Sequence, residues 1–541
     1  MSAFRFFLLI AGLLIVSGFL FLNLYQLQIE KGDYYAARAK TQGTASQSPQ
    51  NHRGNIYLTD KEGRAVPVAI NKPQPVAVIA SREIKDVDSL VENISPILNL
   101  EPEVLRKISL SQGAYRVLAR ELTEEQIKKI KAAKIPGIYI DEEDRRYYPF
   151  NNLASQVIGF VAPGDDQLTF GRYGLERYYD DHLTTGKDLN LTLDVNLQTE
   201  SEKTLRGLVE KYQASGGTII IQEPKTGKIL ALANYPDFNL NQYGKARVEH
   251  FSNPALQAVY EPGSIFKVIT MAAGLDSQAF TPETSFYDTG QITFRDGRVI
   301  KNWDKKANGT VTMTNVIERS INTGAAFAET KIGHRRFYEY LKKFGFNQPT
   351  EITLPGEVAG NLKNVERHQA DIDFAAASFG QGVAVTPLQV INAISTIAND
   401  GKLMRPLIID GDPPQEMGRA ISAEAAEKLK GMMISAVRKA VLAQIPKYTV
   451  AGKTGTAQVP DLKKGGYTDD VINGYVGFVP ATNPSFTILF KLDRPAGAPL
   501  SGQTVVPAFR QLAQFVLNYY NIPPDDLTPA QTPADTGSLN Y

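Results

Sequence analysis

Three short polar motifs, Ser264-Ile265-Phe266-Lys267, Ser320-Ile321-Asn322 and Lys453-Thr454-Gly455-Thr456, follow one another in this order along the chain. They constrain the fold more than any other feature, because their chemistry is joint. If they act together, the segments between them must close into one unit with the three motifs at a common cleft. S-x-x-K at the opening of a helix sets a hydroxyl and an amine one turn apart on a shared face. That is the arrangement an activated serine requires when no histidine serves as its base.

Each motif alone is weak. S-x-x-K occurs only at Ser264, but S-x-N occurs at Ser320 and again at Ser538, in a polar tail. K-T-G also occurs twice, at Lys225 and Lys453. The earlier copy sits in Glu223-Pro224-Lys225-Thr226-Gly227-Lys228, between apolar runs at 218–221 and 229–233. That pattern predicts a hairpin turn, with Pro and Gly supplying the turn angles. The later copy lies within a β-rich run, so only it has both the order and a strand context.

Strands are predicted at 448–459, 471–479 and 485–492, after helices at 197–212, 265–275, 314–331, 387–398 and 423–443. A last helix is predicted at 506–520. Strands at both ends with helices between them predict one α+β domain whose terminal segments share a sheet packed with helices. From residue 53 to about 190 the chain mixes short strands with charged helices, one of them at 124–134. No nucleophile and base stand at workable spacing there, and the segment reads as a structural pedestal.

The amino terminus carries no charge from Phe6 to Ile29 and is mostly apolar. As a helix at ~1.5 Å per residue it covers the ~30 Å hydrocarbon core of a bilayer. Phe21-Leu22-Asn23-Leu24-Tyr25-Gln26 lacks a small-x-small cleavage site, which favours an uncleaved anchor over a signal peptide. Only Arg5 and the terminal amine mark the inner side, while Lys31, Arg38 and Lys40 follow the span. The short head predicts that the bulk of the chain is outside. The predicted layout is a head at 1–5, an anchor at 6–29 and a pedestal at 30–190, with a short helix at 33–40 and a polar linker at its start. The catalytic domain follows at 191–524 and a tail at 525–541.

Composition excludes several classes. A net charge of +1 gives no bulk attraction for nucleic acid. The absence of cysteine removes disulfides, thiolate catalysis and Cys-ligated zinc, and the five histidines form no metal-ligand spacing. No metal or cofactor is expected.

The motif residues have readable chemistry. Lys267 sits among Ile265, Phe266, Val268, Ile269 and Met271, against the core. Burial and nearby cations both favour its neutral amine, the form that can take the Ser264 proton. Ser320 is placed to relay a proton to a leaving amine, and the Asn322 amide to hold a substrate carbonyl. Gly324 suggests a helix end or turn near the cleft. Lys453, Thr454 and Thr456 offer a cation and hydroxyls for a terminal carboxylate. Gly455 would let a substrate backbone lie along the strand. The Ser264 and Thr456 N–H groups are the expected oxyanion donors.

With these residues in view, the chain resembles the class B penicillin-binding proteins over most of its length. Tyr260-Glu261-Pro262-Gly263-Ser264-Ile265-Phe266-Lys267 is similar to the family's nucleophile segment. Ser378-Phe379-Gly380-Gln381-Gly382, followed by Thr386-Pro387-Leu388-Gln389, resembles the glycine-rich turn that lines its cleft, with Gly380 and Gln381 as substrate-binding residues. Gly474-Tyr475-Val476-Gly477-Phe478 also matches. In the pedestal, Arg53-Gly54-x-Ile56, Arg146-x-Tyr148-Pro149 and Gly174-Leu175-Glu176 resemble motifs of the non-catalytic (dimerisation-type) module. Tyr57-Leu58-Thr59 before Asp60 is a stretched spacing, and the segment between Gly186 and Leu191 is short.

The resemblance implies an elongated pedestal and a serine β-lactamase-like transpeptidase domain on a single-pass inner-membrane protein with its catalytic domain extracytoplasmic. The implied activity is peptidoglycan D,D-transpeptidation of stem peptides, sensitive to β-lactams. The partners it implies are a SEDS-type glycosyltransferase and other division proteins. The motif forms lean toward the division-type branch, with an elongation role as the alternative. A serine β-lactamase or D,D-carboxypeptidase is the hydrolytic rival, and a membrane-anchored division scaffold the non-enzymatic one.

Overall fold

A computed structural model describes residues 3–25, 53–110, 116–164, 169–367, 370–461, 463–497 and 500–526. The helix and linker predicted at 33–52, the tail from 527 and Ser538 lie outside the described residues. The amino-terminal helix runs over Ala3–Tyr25. Its side chains are described without a break only from residue 16 to 25. Among the described residues no helix is long and apolar enough to cross a membrane. The anchor predicted over 6–29 is therefore not established by them.

The chain divides into two compact units. In the smaller, residues 70–79 of the strand Ala65–Ile79 pair antiparallel with Ile138–Tyr147, from Ile70 opposite Tyr147 to Ile79 opposite Ile138. Helices Val87–Leu98, Pro102–Leu110 and Glu124–Ala133 bury Leu90, Ile94, Leu105 and Ile130 with Ala77 and Ile79 of the strand. The helix predicted at 124–134 starts with a capping box, in which Thr123 and Gln126 each satisfy the other's backbone N–H.

The larger unit is built on a five-stranded antiparallel sheet. Its order is Ala451–Pro460, Tyr467–Val479, Phe486–Asp493, Gly216–Gln222, Ile229–Tyr235. The chain's late strands thus lie beside an early hairpin, the shared sheet predicted from the sequence. Side chains alternate between two buried faces. Ile219, Ile221, Ile488 and Phe490 pack with helices Val195–Tyr212 and Val505–Tyr519. Ile220, Leu489, Val476 and Phe478 join a second core with Phe266, Ile269, Ile391 and Met433. Helices Lys267–Asp276, Pro387–Ala398 and Ala423–Ala440 supply that layer. The Lys225 copy of K-T-G is the turn of the early hairpin, as predicted.

Two expectations change. The single helix predicted at 314–331 is two helices, Met313–Arg319 and Asn322–Ile332. Ser320 between them has φ +57, in the left-handed region that no helix can pass through. Gly324 is inside the second helix rather than at a turn, because a Cβ there would stand 2.3 Å from Val316 Cγ2. It serves the close packing of the two helices.

Residues 54–69 and 148–183, read from sequence as pedestal, also fold in the larger unit. The cause is pairing with segments distant in sequence. Ile56–Thr59 runs parallel to Leu189–Asp194, and the Gly54 N–H donates to the Leu183 carbonyl at 2.8 Å. The Tyr148 hydroxyl, deeply buried, donates to Glu176 at 3.3 Å and accepts from the Val161 N–H at 3.1 Å.

Candidate active site

Ser264 lies in a 3₁₀ turn, Gly263–Phe266, that leads directly into the helix Lys267–Asp276. In a 3₁₀ turn side chains at i and i+3 eclipse each other. Lys267 Nζ accordingly lies 2.8 Å from Ser264 Oγ. The same nitrogen is 2.8 Å from the Ser320 carbonyl oxygen, 2.7 Å from Asn322 Oδ1 and 3.1 Å from Ser320 Oγ.

These contacts determine what the amine can do. A carbonyl and an amide oxygen only accept. The Asn322 orientation is fixed from its other end, where Nδ2 donates to the Lys301 carbonyl at 2.9 Å. A neutral amine has two N–H donors and one lone pair. With its two hydrogens on the Ser320 carbonyl and Asn322 Oδ1, the lone pair is left for a hydroxyl proton. Lys267 is fully buried. Burial, with the Lys453 cation adding to it, holds its pKa well below the usual lysine value. Geometry and electrostatics therefore favour the same form of the side chain.

Lys453 reaches the cluster from the edge strand Ala451–Pro460. Its Nζ donates to Ser320 Oγ at 3.0 Å and to the Thr454 carbonyl at 3.1 Å, with Thr454 Oγ1 at 3.4 Å. Burial lowers its pKa to about 7. Ser320 Oγ is thus the bridge between the two amines. The break between the two helices puts it there. A left-handed residue at the helix end turns both its hydroxyl and its carbonyl onto Lys267.

The strand that carries Lys453-Thr454-Gly455-Thr456 pairs on one side only, with Gly455 opposite Gly474 and Thr456 opposite Asn473. Thr456 Oγ1 is 2.9 Å from Ser501 Oγ, and Ser501 Oγ in turn donates to the Gly455 carbonyl. Gly455 packs against the nucleophile turn. A Cβ there would lie 2.8 Å from the Pro262 carbonyl oxygen and 2.9 Å from Ile265 Cγ1. Its missing side chain admits that turn.

Gly380 works in the same way from the other side. It has φ +81, and a Cβ would stand 2.3 Å from the Gly263 carbonyl oxygen. The Gly263 N–H donates to the Gly380 carbonyl at 3.2 Å. The turn bearing Ser264 is clasped between two glycines. Gln381 donates its backbone N–H to Ala376 at 3.1 Å, within that glycine-rich turn. Gly380→Ala is expected to destabilise the fold by roughly 1–3 kcal/mol, through overpacking and a strained φ. It should also slow modification of Ser264. Thermal unfolding and a labelling time course check both effects.

Sequence reasoning missed several participants. The Lys301 carbonyl and the Ser501 hydroxyl have no motif to mark them. The Phe379 ring, 5.9 Å from Lys267 Nζ, falls inside a recognised segment without being singled out. Glu261, two residues before Gly263, accepts from the Gly382 N–H and from the Tyr467 hydroxyl, both at 2.9 Å. It ties the glycine-rich turn to the hairpin that continues the edge strand.

Comparison with known proteins agrees with this geometry. Residues 217–514 match the penicillin-binding protein transpeptidase domain, and residues 49–215 match the penicillin-binding protein dimerisation domain. Stage V sporulation protein D of Bacillus subtilis is 30% identical over 88% of this chain and 80% of its own length. The peptidoglycan D,D-transpeptidase FtsI of Escherichia coli is 29% identical over 97% of this chain and 93% of its own. Penicillin-binding protein 2X of Streptococcus thermophilus, at 23% identity, shares the fold, with a TM-score of 0.71 over 87% of this chain and 80% of that one. Two matched domains in this order, and relatives aligned along most of both chains, make this protein a member of the class B penicillin-binding proteins.

Proposed function

We propose that this chain is a peptidoglycan D,D-transpeptidase that cross-links stem peptides through an acyl-enzyme on Ser264. The observation that carries the reading is the 2.8 Å approach of Lys267 Nζ to Ser264 Oγ, with the amine's donors already committed to obligate acceptors. Ser264 Oγ attacks the carbonyl carbon of the D-Ala-D-Ala bond while its proton passes to the Lys267 lone pair. The Ser264 and Thr456 N–H groups hold the oxyanion. Ser320 hands its proton to the departing amine and takes the one now on Lys267, 3.1 Å away, as the C–N bond breaks and D-Ala leaves. The amine of a neighbouring stem peptide then attacks the ester and frees the Ser264 hydroxyl. Lys453, with Thr454 and Thr456, binds the terminal carboxylate; Gly380 and Gln381 line the cleft. A β-lactam acylates the same hydroxyl, but its leaving amine stays tethered.

The proposed layout is an anchor at 6–29, a pedestal at 30–190, of which 54–69 and 148–183 fold in the larger unit, and a transpeptidase domain at 191–524. The uncharged, mostly apolar run from Phe6 to Ile29, with no small-x-small cleavage site, is the sequence feature behind the anchor. This supports a single-pass protein of the cytoplasmic membrane with its catalytic domain outside. The likeness to FtsI supports service at the division septum, and a SEDS-type glycosyltransferase and other division proteins are the partners that the family resemblance implies.

The test is labelling of the full chain with a fluorescent penicillin, followed by mass-spectrometric mapping. One adduct on Ser264, absent in Ser264→Ala, is the expected result. Label retained by that variant, or mapped to another residue, overturns the reading.

A further inference from the structure

Behind Asn322 lies a buried polar cluster that the mechanism above does not use. Asp288 is 1% exposed and accepts five hydrogen bonds, all from neutral donors. They come from the Gly290 N–H at 2.8 Å, Asn302 Nδ2 at 2.8 Å, the Asn308 N–H at 3.0 Å, Asn308 Nδ2 at 2.7 Å and Thr323 Oγ1 at 2.7 Å. Burial would push its carboxyl up, yet the bonds from Thr323, Asn308 and Gly290 outweigh this and hold it below the ordinary carboxylate range. Among the described residues it has no cationic partner, and converging dipoles hold the anion.

Two of the four residues that donate to this carboxylate, Thr323 and Asn302, flank Asn322. Thr323 is the next residue along the helix Asn322–Ile332. Asn302 follows Lys301, whose carbonyl fixes the Asn322 amide. Asn302 Oδ1 also accepts from the Thr323 N–H at 3.2 Å and lies 3.1 Å from Thr323 Oγ1, whose single hydrogen goes to Asp288. The helix start and the loop are thereby fastened to each other and to one carboxylate. Between them they hold both ends of the Asn322 amide: its backbone, and the acceptor for its Nδ2.

We propose that Asp288 is a positioning residue for the reaction at Ser264. Its carboxylate, acting through Thr323 and Asn302, sets the pose of the Asn322 amide and hence the direction of the Lys267 lone pair. This rests on the reading of Ser264 as nucleophile and Lys267 as base. The buried charge is what makes the clamp stiff. Bonds to an ionised acceptor are shorter and roughly twice as strong as neutral ones.

The experiment measures the second-order rate of acylation by a fluorescent penicillin, across pH, in the full chain. The variants are Asp288→Asn, Thr323→Val and Thr323→Ser. Asp288→Asn replaces an acceptor oxygen with a donor facing donors. It is expected to slow acylation by up to about 10²-fold, the scale of a small misplacement of a reacting group. The acid limb of the profile should move to lower pH, because protonated Lys267 loses a well-placed acceptor in Asn322. Thr323→Val should act in the same sense and more mildly, and Thr323→Ser, which keeps the hydroxyl, should match the parent.

If Asp288→Asn does not fold, the Val and Ser pair carries the test. Parent-like rates and an unmoved acid limb in Thr323→Val overturn the proposal. So does a loss confined to the fraction of active protein, with the limb in place, which is what a merely structural role gives. Failure of the underlying reading is separately visible, as labelling that survives Ser264→Ala.

Discussion

Lys267→Met is expected to lower the rate of Ser264 acylation by about 10²–10⁴-fold, the usual contribution of a positioned general base. Methionine keeps the length and the apolar stem of lysine, fills the buried Lys267 position and supplies no base there. The variant should also lose the acid limb of its pH profile, because the group that titrates there is gone. The Ser320 carbonyl and Asn322 Oδ1 each lose a donor, at a cost of about 1–3 kcal/mol for an acceptor left unsatisfied. Removing a deeply buried amine offsets part of that, so the protein should remain folded. A time course of penicillin labelling beside a thermal melt makes the measurement. A folded Lys267→Met variant that acylates within a few fold of the parent would remove the amine from the mechanism.

The amine–hydroxyl pair was legible in the sequence because its spacing is a local property. Any helical turn brings residues three apart together, and a lysine flanked by Phe266 and Val268 has to be buried. The shared sheet was legible for a related reason. Runs such as Thr487-Ile488-Leu489-Phe490 are buried on both faces and read as strands wherever they fall.

What sequence could not supply were contacts set by distant backbone. Ser320 gives no sign that it takes a left-handed conformation. The residues on either side, Val316, Ile317, Ala325 and Ala328, keep a helical rhythm straight through it. Gly455 and Gly380 look like glycines that make room for a ligand. They also make room for Pro262, Ile265 and Gly263, which only the assembled fold reveals. The placement of residues 54–69 depended on a parallel partner, Leu189–Asp194, more than a hundred residues away, and parallel pairing leaves no turn to read.

Lys453 leads to the second large effect. Its pKa of about 7 reflects burial, so much of the free enzyme lacks the charge just above neutrality. Acylation measured as a second-order rate reports the free enzyme. It should rise with pH as Lys267 loses its proton, then fall along a limb governed by Lys453. Lys453→Met is expected to weaken recognition of a carboxylate-bearing penicillin by roughly 10- to 100-fold, the worth of a hydrogen bond to a charged group. It should abolish the alkaline limb. Because the Lys453 cation helps depress the Lys267 pKa, the acid limb should move to higher pH in the variant. Stability gives an independent reading of the same shift. Between about 7 and the ordinary 10.5 the unfolded chain binds a proton at Lys453 that the native state does not. Unfolding free energy therefore gains a rising contribution across that window, fully present only above 10.5 and absent below 7. In Lys453→Met that contribution vanishes. An alkaline limb that persists in the variant, together with an unchanged slope of stability against pH, would place the titrating cation elsewhere and leave the edge strand without its carboxylate anchor.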